Sequence, residues 1–192
     1  RENRVTIIQA ETGAGKSVRV PQYLADSGMR VVVTEPRIIA AKSLAARVAA
    51  EMGEELGGKV GFRTALYRED SRNTDLLYCT DGLELVRQLT GSEGHRDVLV
   101  IDEIHEWNRN METLLAWVNS KMVENPNLRL LIMSATIELG KLEEFLGGAS
   151  TIEVPGRTFG VRERQPSASI EDDVADLVKE KRNVLVFQPG KR

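Results

Sequence analysis

The feature that most narrows what this chain can fold into is a glycine-rich turn, Glu-Thr-Gly-Ala-Gly-Lys-Ser at Glu11 to Ser17, set directly after the apolar run Val5 to Ala10. Such a turn between a buried strand and a helix aims successive backbone N–H groups into one concavity, which suits the β- and γ-phosphates of a nucleotide. Thr12, Gly13, Ala14 and Gly15 form the turn, Lys16 adds a positive charge, and the Ser17 hydroxyl suits a Mg²⁺ ion. Gly-x-Gly alone reads as a plain turn; Lys-Ser straight after it, opening a helix, is what points to phosphate. Ala10 stands where the strict GxxxxGK(S/T) pattern has its first glycine, so the demanding backbone angles are expected at Gly13 and Gly15.

A second string, Asp-Glu-Ile-His at Asp102 to His105, ends another apolar run, Val98 to Ile101. A carboxylate at the carboxyl end of a buried strand holds a metal's water shell, and the next one orients or deprotonates an attacking water. The candidate catalytic residues are therefore Lys16, Asp102 and Glu103, and the candidate metal-site residues Ser17, Asp102 and Glu103. Alone, the acidic pair would read as a solvated helix start. Its coupling to the phosphate loop gives it chemistry.

At 192 residues, 41% hydrophobic and 29% charged, the chain has enough apolar material for one full core and part of another, which excludes fibrous and disordered classes. A net charge of −3 argues against one large basic surface and limits nucleic-acid binding to a few placed backbone contacts. The apolar runs are strand-sized, so neither a membrane span nor a leader is expected, and the abrupt start at Arg1 reads as a fragment. The single cysteine, Cys79, lies in an apolar run and reads as a buried, inert thiol in a reducing, intracellular compartment. His95 and His105 have no metal-ligand spacing, so no zinc site is expected.

Short β-branched runs alternate with helical patterns, the signature of an α/β fold around a mainly parallel sheet with helices on its faces. Strands are expected at Val5 to Ala10, Val31 to Thr34, Leu76 to Cys79, Val98 to Ile101, Leu130 to Met133 and Thr151 to Val154. Met111, Leu114, Leu115, Val118 and Met122 recur at helical spacing, as do Leu44, Val48 and Met52, giving core stripes. Pro155 and Gly156 break the pattern, giving a first domain over 1–156 and a linker over 157–169. Residues 170–192 then read as an incomplete start of a second domain, with a helix marked by Ile170, Val174, Leu177 and Val178 and a buried strand at Asn183 to Phe187.

With both nucleotide motifs placed, the chain resembles the first RecA-like domain of a DEAH/DExH-box RNA helicase of superfamily two. Further strings follow in that family's order: TEPRIIAAKSLAARVAAEM at Thr34 to Met52, TDG at Thr80 to Gly82, DEIH, SAT at Ser134 to Thr136, and VPGRTF at Val154 to Phe159. The resemblance implies a RecA-like P-loop NTPase fold, ATP or another NTP with Mg²⁺ as cofactors, and a second RecA-like domain in cis that supplies an arginine finger. Its implied partner is single-stranded or partly duplex nucleic acid, RNA by family weight, and no membrane. Arg37, Thr80, Asp81 and Gly82 match positions at the nucleic-acid backbone; Arg37, Thr80 and the Gly82 N–H are types that bind phosphate oxygens without reading bases. By residue type alone TDG reads first as a capped helix start, and both readings are compatible. His105, Ser134 and Thr136 match residues that couple hydrolysis to domain movement, and Arg47 a position that stacks on the nucleotide base; without the resemblance Arg47 reads equally as a solvated arginine.

Three departures narrow the match. The family often reads QPRR where this chain has Glu35, Pro36, Arg37 and Ile38, which places an anion beside the expected strand-binding edge. Trp107 follows Glu106 where the family commonly has arginine, and Arg63 and Arg68 bracket a place where it keeps one arginine. The expected function is NTP-dependent RNA unwinding or translocation, the alternatives being another P-loop ATPase or a nucleotide-binding RNA scaffold that does not unwind.

Overall fold

The computed structural model describes residues 4–11, 13–135, 139–155 and 169–187. Thr12, Thr136, Gly156 to Phe159, most of the expected linker, and Lys191 and Arg192 lie outside the described residues. The chain divides into two compact units, 1–157 and 158–192. Among the described residues no helix is long and apolar enough to cross a membrane.

The first unit is built on one eight-stranded sheet, with β1 (Val5–Ala10), β2 (Val31–Glu35), β3 (Val60–Arg63), β4 (Arg68–Glu69), β5 (Leu76–Thr80), β6 (Val98–Ile101), β7 (Arg129–Ser134) and β8 (Ser150–Val154) in the spatial order β4-β3-β5-β2-β6-β7-β1-β8. Every pairing is parallel except β3 with β4. The six strands legible as apolar runs form with ends within one residue of expectation. The β3–β4 pair is the exception, because four residues that include Gly61 and end in Arg63 carry too little pattern. Gly61 is required there: a Cβ would stand 2.7 Å from the Glu69 carbonyl oxygen. Arg63 and Arg68 both turn onto Asp70, with Nε–Oδ1 distances of 2.9 and 3.0 Å, and so brace this edge.

A parallel sheet covered on both faces needs strands that are apolar throughout, and side chains that alternate between two cores. Val31, Val33, Leu76, Tyr78, Val98 and Val100 enter one core with α1 (Lys16–Asp26) and α2 (Ile38–Glu51). Val32, Leu77, Cys79, Leu99 and Ile101 enter the other, which α4 (Arg109–Glu124) closes with Leu114, Leu115, Val118 and Met122. Each such Val or Leu contributes about 1.5–3 kcal/mol relative to exposure. The expected α4 stripe is buried in full, Met111 included. On α2 the buried stripe is instead Ala41, Ala45, Val48 and Ala49, with Leu44 and Met52 only half-buried. Alanines let that helix lie close to the sheet, so the larger side chains fall to its flanks. Cys79 is buried, and burial pushes its thiol well above the usual range, as expected of an inert thiol.

Pro21 sits inside α1 and has no N–H, so it leaves the Ser17 carbonyl without its helical donor. The fully buried Tyr78 hydroxyl of β5 donates to that carbonyl at 2.8 Å. The start of α1 is thereby tied to the middle of the sheet.

In the second unit, a helix over Ile170–Lys179 is capped by Ser169, whose Oγ accepts from the Asp172 N–H at 3.1 Å. Val174 and Leu177 are half-buried while Ile170 and Val178 are exposed. The expected strand at Asn183 to Phe187 does not form: these residues carry no ladder, and Leu185 and Phe187 are exposed. A strand is stabilised by cross-strand pairs, and among the described residues none is available to this segment.

The Tyr78–Ser17 bond makes a direct prediction. Tyr78→Phe removes the donor to this partly buried carbonyl and should lower unfolding free energy by about 1 kcal/mol in urea titrations. Unchanged stability would show that water replaces the hydroxyl.

Candidate functional site

In a sheet of parallel strands the loops that follow the strands gather at one edge, and here they bring the chemical groups of the chain together. The glycine turn after β1 closes with the Ala14 N–H on the Glu11 carbonyl at 3.1 Å. Gly13 and Gly15 carry the positive φ angles expected of them, 86° and 81°, and Gly15 caps α1. A Cβ would meet nothing within 4 Å at Gly13 and only Arg19 Cγ at 3.8 Å from Gly15, so it is the backbone angle and not space that selects glycine. Lys16 and Ser17 form the first turn of α1, with Lys16 nearly buried.

Lys16 Nζ lies 3.0 Å from Glu103 Oε1, which joins the phosphate loop to the acidic string across β7. Glu103 holds a left-handed backbone, φ 52°, the strained conformation that turns the chain from β6 into the short 3-10 turn Ile104–Glu106. Its other oxygen meets His105 Nε2 at 3.2 Å, and His105 Nδ1 lies 3.3 Å from the Ser134 hydroxyl at the end of β7. The candidate catalytic and coupling residues Lys16, Glu103, His105 and Ser134 therefore form one continuous polar chain. Asp102 is fully buried; it accepts the Glu103 N–H at 2.8 Å, and the Ser17 hydroxyl also bonds its carboxylate.

Glu35, expected as an anion beside the strand-binding edge, is buried: it ends β2, is 2% exposed, and lies beside Asp102, the next pair after Thr34 and Ile101 in the β2–β6 register. Burial, then Asp102, pushes its carboxyl up to about 10, and burial pushes Asp102 up as well. The signal that could have located it is positional, since β2 and β6 both end at the chemical edge.

These residues suit a hydrated Mg²⁺ ion. Oδ2 of Asp102 is buried without a hydrogen-bond partner, and the Ser17 hydroxyl is on the same carboxylate. Among the described residues no three His, Cys, Asp or Glu side chains form an all-protein cage. A cation held by one or two carboxylates plus substrate phosphate needs none.

The remaining candidates are less gathered. Arg47 is exposed on α2 and bonds Glu51 Oε1 at 2.9 Å, while Arg19 of α1 reaches the other oxygen of Glu51 at 3.4 Å. Arg37 precedes α2 at the surface, with Nη2 2.6 Å from Glu106 Oε1. Asp81 is buried at the start of α3 (Asp81–Leu89), where it accepts the Gly82 N–H at 2.7 Å and Asn108 Nδ2 at 2.7 Å. Asn108 in turn caps α4, so Thr80 to Gly82 serves as a joint between two helix starts, and the Gly82 N–H is already engaged. Glu106 and Asn108 carry no motif of their own and were not legible as site residues.

Glu35 also predicts a pH dependence. Its folded pKa lies above the usual 4.5, so the folded state holds a proton that the unfolded chain gives up. That contribution is fully present below about pH 4.5 and is lost as pH rises toward 10. Glu35→Gln should therefore flatten the decline of unfolding free energy between pH 6 and 9, and should be the more stable protein at the alkaline end. An unchanged pH slope in urea titrations would contradict the buried-proton assignment.

Residues 1–145 match the DEAD/DEAH box helicase family. The chain is 36% identical over 172 residues to the DExH-box ATP-dependent RNA helicase DExH6 of Arabidopsis thaliana, covering 83% of this chain and 13% of that protein. It is 33% identical over 202 residues to DExH2 of the same plant, covering 99% of this chain and 12% of the relative. A putative DEAH-box ATP-dependent helicase of Mycosarcoma maydis is 37% identical over 185 residues, covering 85% and 12%. The chain thus spans roughly an eighth of the length of these relatives. With the glycine loop and the acidic string meeting across β7, and a family match over three quarters of its length, this chain belongs to the DEAD/DEAH box helicases.

Proposed function

We propose that residues 1–156 are the nucleotide-binding RecA-like domain of an ATP-dependent RNA helicase, and that a second RecA-like domain in cis completes its active site. The observation that supports this reading is the 3.0 Å ion pair between Lys16 and Glu103, because it joins the cation of the glycine loop to the carboxylate of the acidic string. The relatives named above as ATP-dependent RNA helicases supply the substrate class.

In this mechanism the N–H groups of Gly13 to Ser17 and the Lys16 ammonium hold the β- and γ-phosphates. Bound Mg²⁺ would neutralise phosphate charge, held by the Ser17 hydroxyl and, through water, by Asp102 and Glu103. Glu103 orients the water that attacks the γ-phosphate in line. His105 bonds the same carboxylate and reaches Ser134, so a change at Glu103 is felt at the end of β7. Thr136 belongs to the same coupling segment. Arg47 offers a planar cation to the base, with Glu51 holding it.

RNA is bound along the surface that carries Arg37 and Thr80, without base readout. The Arg37–Glu106 pair is exposed, and such pairs contribute only about 0–1 kcal/mol, so a backbone phosphate displaces Glu106 readily. Glu106 follows the acidic string directly, which gives RNA binding a physical route to the nucleotide edge.

Two predictions separate these roles. In the full-length protein Lys16→Ala should weaken nucleotide binding about 10- to 100-fold, the worth of a charged hydrogen bond. Glu103→Gln should spare binding and lower single-turnover hydrolysis by about 10²–10⁴-fold. Equal loss of binding in the two would sink the division of labour. For nucleic acid, Arg37→Ala should weaken single-stranded RNA binding uniformly across sequences and reduce the log–log salt slope by about 0.7. Glu106→Gln should tighten it by up to about fivefold. Tighter binding confined to one base sequence would contradict backbone recognition.

A further inference from the structure

Glu35 has no place in the mechanism above, yet it is the most deeply buried acidic group at the chemical edge after Asp102. Its Oε1 and the Asp102 Oδ2 are both buried without hydrogen-bond partners. Two adjacent carboxylates, each with an orphaned oxygen in a dry setting, are destabilising on their own, because each oxygen lost water and gained nothing. They come from neighbouring parallel strands that end together: the Asp102 N–H bonds the Thr34 carbonyl at 3.1 Å, one residue before Glu35. Lys16 lies near enough to act on Glu35 electrostatically, so the carboxyl belongs to the phosphate loop's surroundings and not to the core beneath it. No arginine or lysine ion pair engages it among the described residues, in contrast to Glu84, which is equally buried but holds Arg87 at 2.7 Å. A structural buried carboxylate is satisfied as Glu84 is. Glu35 instead shares one hydrogen bond with Asp102 and leaves Oε1 unpaired, and a half-satisfied carboxylate beside a metal-site aspartate has the chemistry of a cation donor.

We propose that Glu35 is a further donor of the divalent-cation site, adding a carboxylate from the end of β2 to Ser17, Asp102 and Glu103. The inference rests on the nucleotide reading of the glycine loop. Hard divalent cations take oxygen donors, and carboxylates with a hydroxyl, completed by phosphate oxygens and water, make a sufficient protein contribution. Donors that orient a cation's shell typically change metal affinity about 10- to 100-fold when removed.

The test uses Mn²⁺ as a spectroscopic cation with a non-hydrolysable ATP analogue, bound to the 192-residue chain and followed by electron paramagnetic resonance. Nucleotide affinity is measured in parallel in EDTA. Glu35→Gln, which keeps the side chain's size, and Glu35→Ala should each weaken Mn²⁺ binding to the nucleotide-loaded protein about 10- to 100-fold, while affinity in EDTA stays at the wild-type value. Glu35→Asp should recover part of the loss. Mn²⁺ affinity unchanged in Glu35→Gln and Glu35→Ala would overturn the proposal and leave Glu35 as a hydrogen-bonding neighbour of Asp102. An equal change with and without the cation would also overturn it, since Glu35 would then act on phosphate charge alone. Lys16→Ala runs beside them: if it binds the analogue as wild type does, the nucleotide reading itself fails, independently of Glu35.

Discussion

A parallel sheet covered by helices on both faces has only its two strand-end edges free of hydrocarbon, and everything chemical in this chain follows from that. Lys16, Glu35, Asp102 and Ser134 are buried polar groups, and all sit at or just beyond the carboxyl ends of strands. Charge removed from water is strongly unfavourable unless paired. Lys16 is satisfied by Glu103, Asp102 only in part by its backbone contact and Ser17, and Ser134 lies against His105. Glu35 is satisfied least, and that imbalance is what sets it apart.

The edge is also where the backbone departs from regular geometry. Gly13 and Gly15 supply left-handed angles at no steric cost, whereas Glu103 adopts one with a side chain attached. Pro21 removes a helical hydrogen bond from the residue that follows Lys16, and Tyr78 restores it from the sheet. The start of α1 is thus held from the sheet by Tyr78, and the Lys16 side chain by Glu103.

The surface contacts are of a different kind. Arg37 and Arg47 are exposed and each is paired with a glutamate, Glu106 and Glu51. Such pairs are weak in water, so they park a cation without holding it. Asp81 and the Gly82 N–H, by contrast, are committed to each other and to Asn108 inside the protein. Their contribution to a nucleic-acid surface would be to shape the start of α3, with Thr80 and Arg37 nearer the solvent.

The six apolar runs, the stripe on α4, and the two motif strings were legible from residue order because each is a local matter: strand burial, helical period, and glycine φ are set by neighbours in sequence. That the glycine loop and the acidic string share one edge of the sheet was legible too, since both follow buried strands. What residue order could not supply was which strand ends become neighbours. The β1–β7–β6–β2 order puts Lys16 against Glu103 and Glu35 against Asp102, though these pairs are far apart along the chain. The same long-range packing chose alanines over Leu44 and Met52 as the inner face of α2 and closed β3 against β4 through Asp70. A strand at Asn183 to Phe187 was legible as a pattern and did not form, because a ladder needs a second strand that the segment itself cannot provide. Sequence alone thus determined the elements and the chemical types at the site; tertiary structure decided which buried charges face one another, because strand order in a parallel sheet is set by crossover packing and not by local propensity.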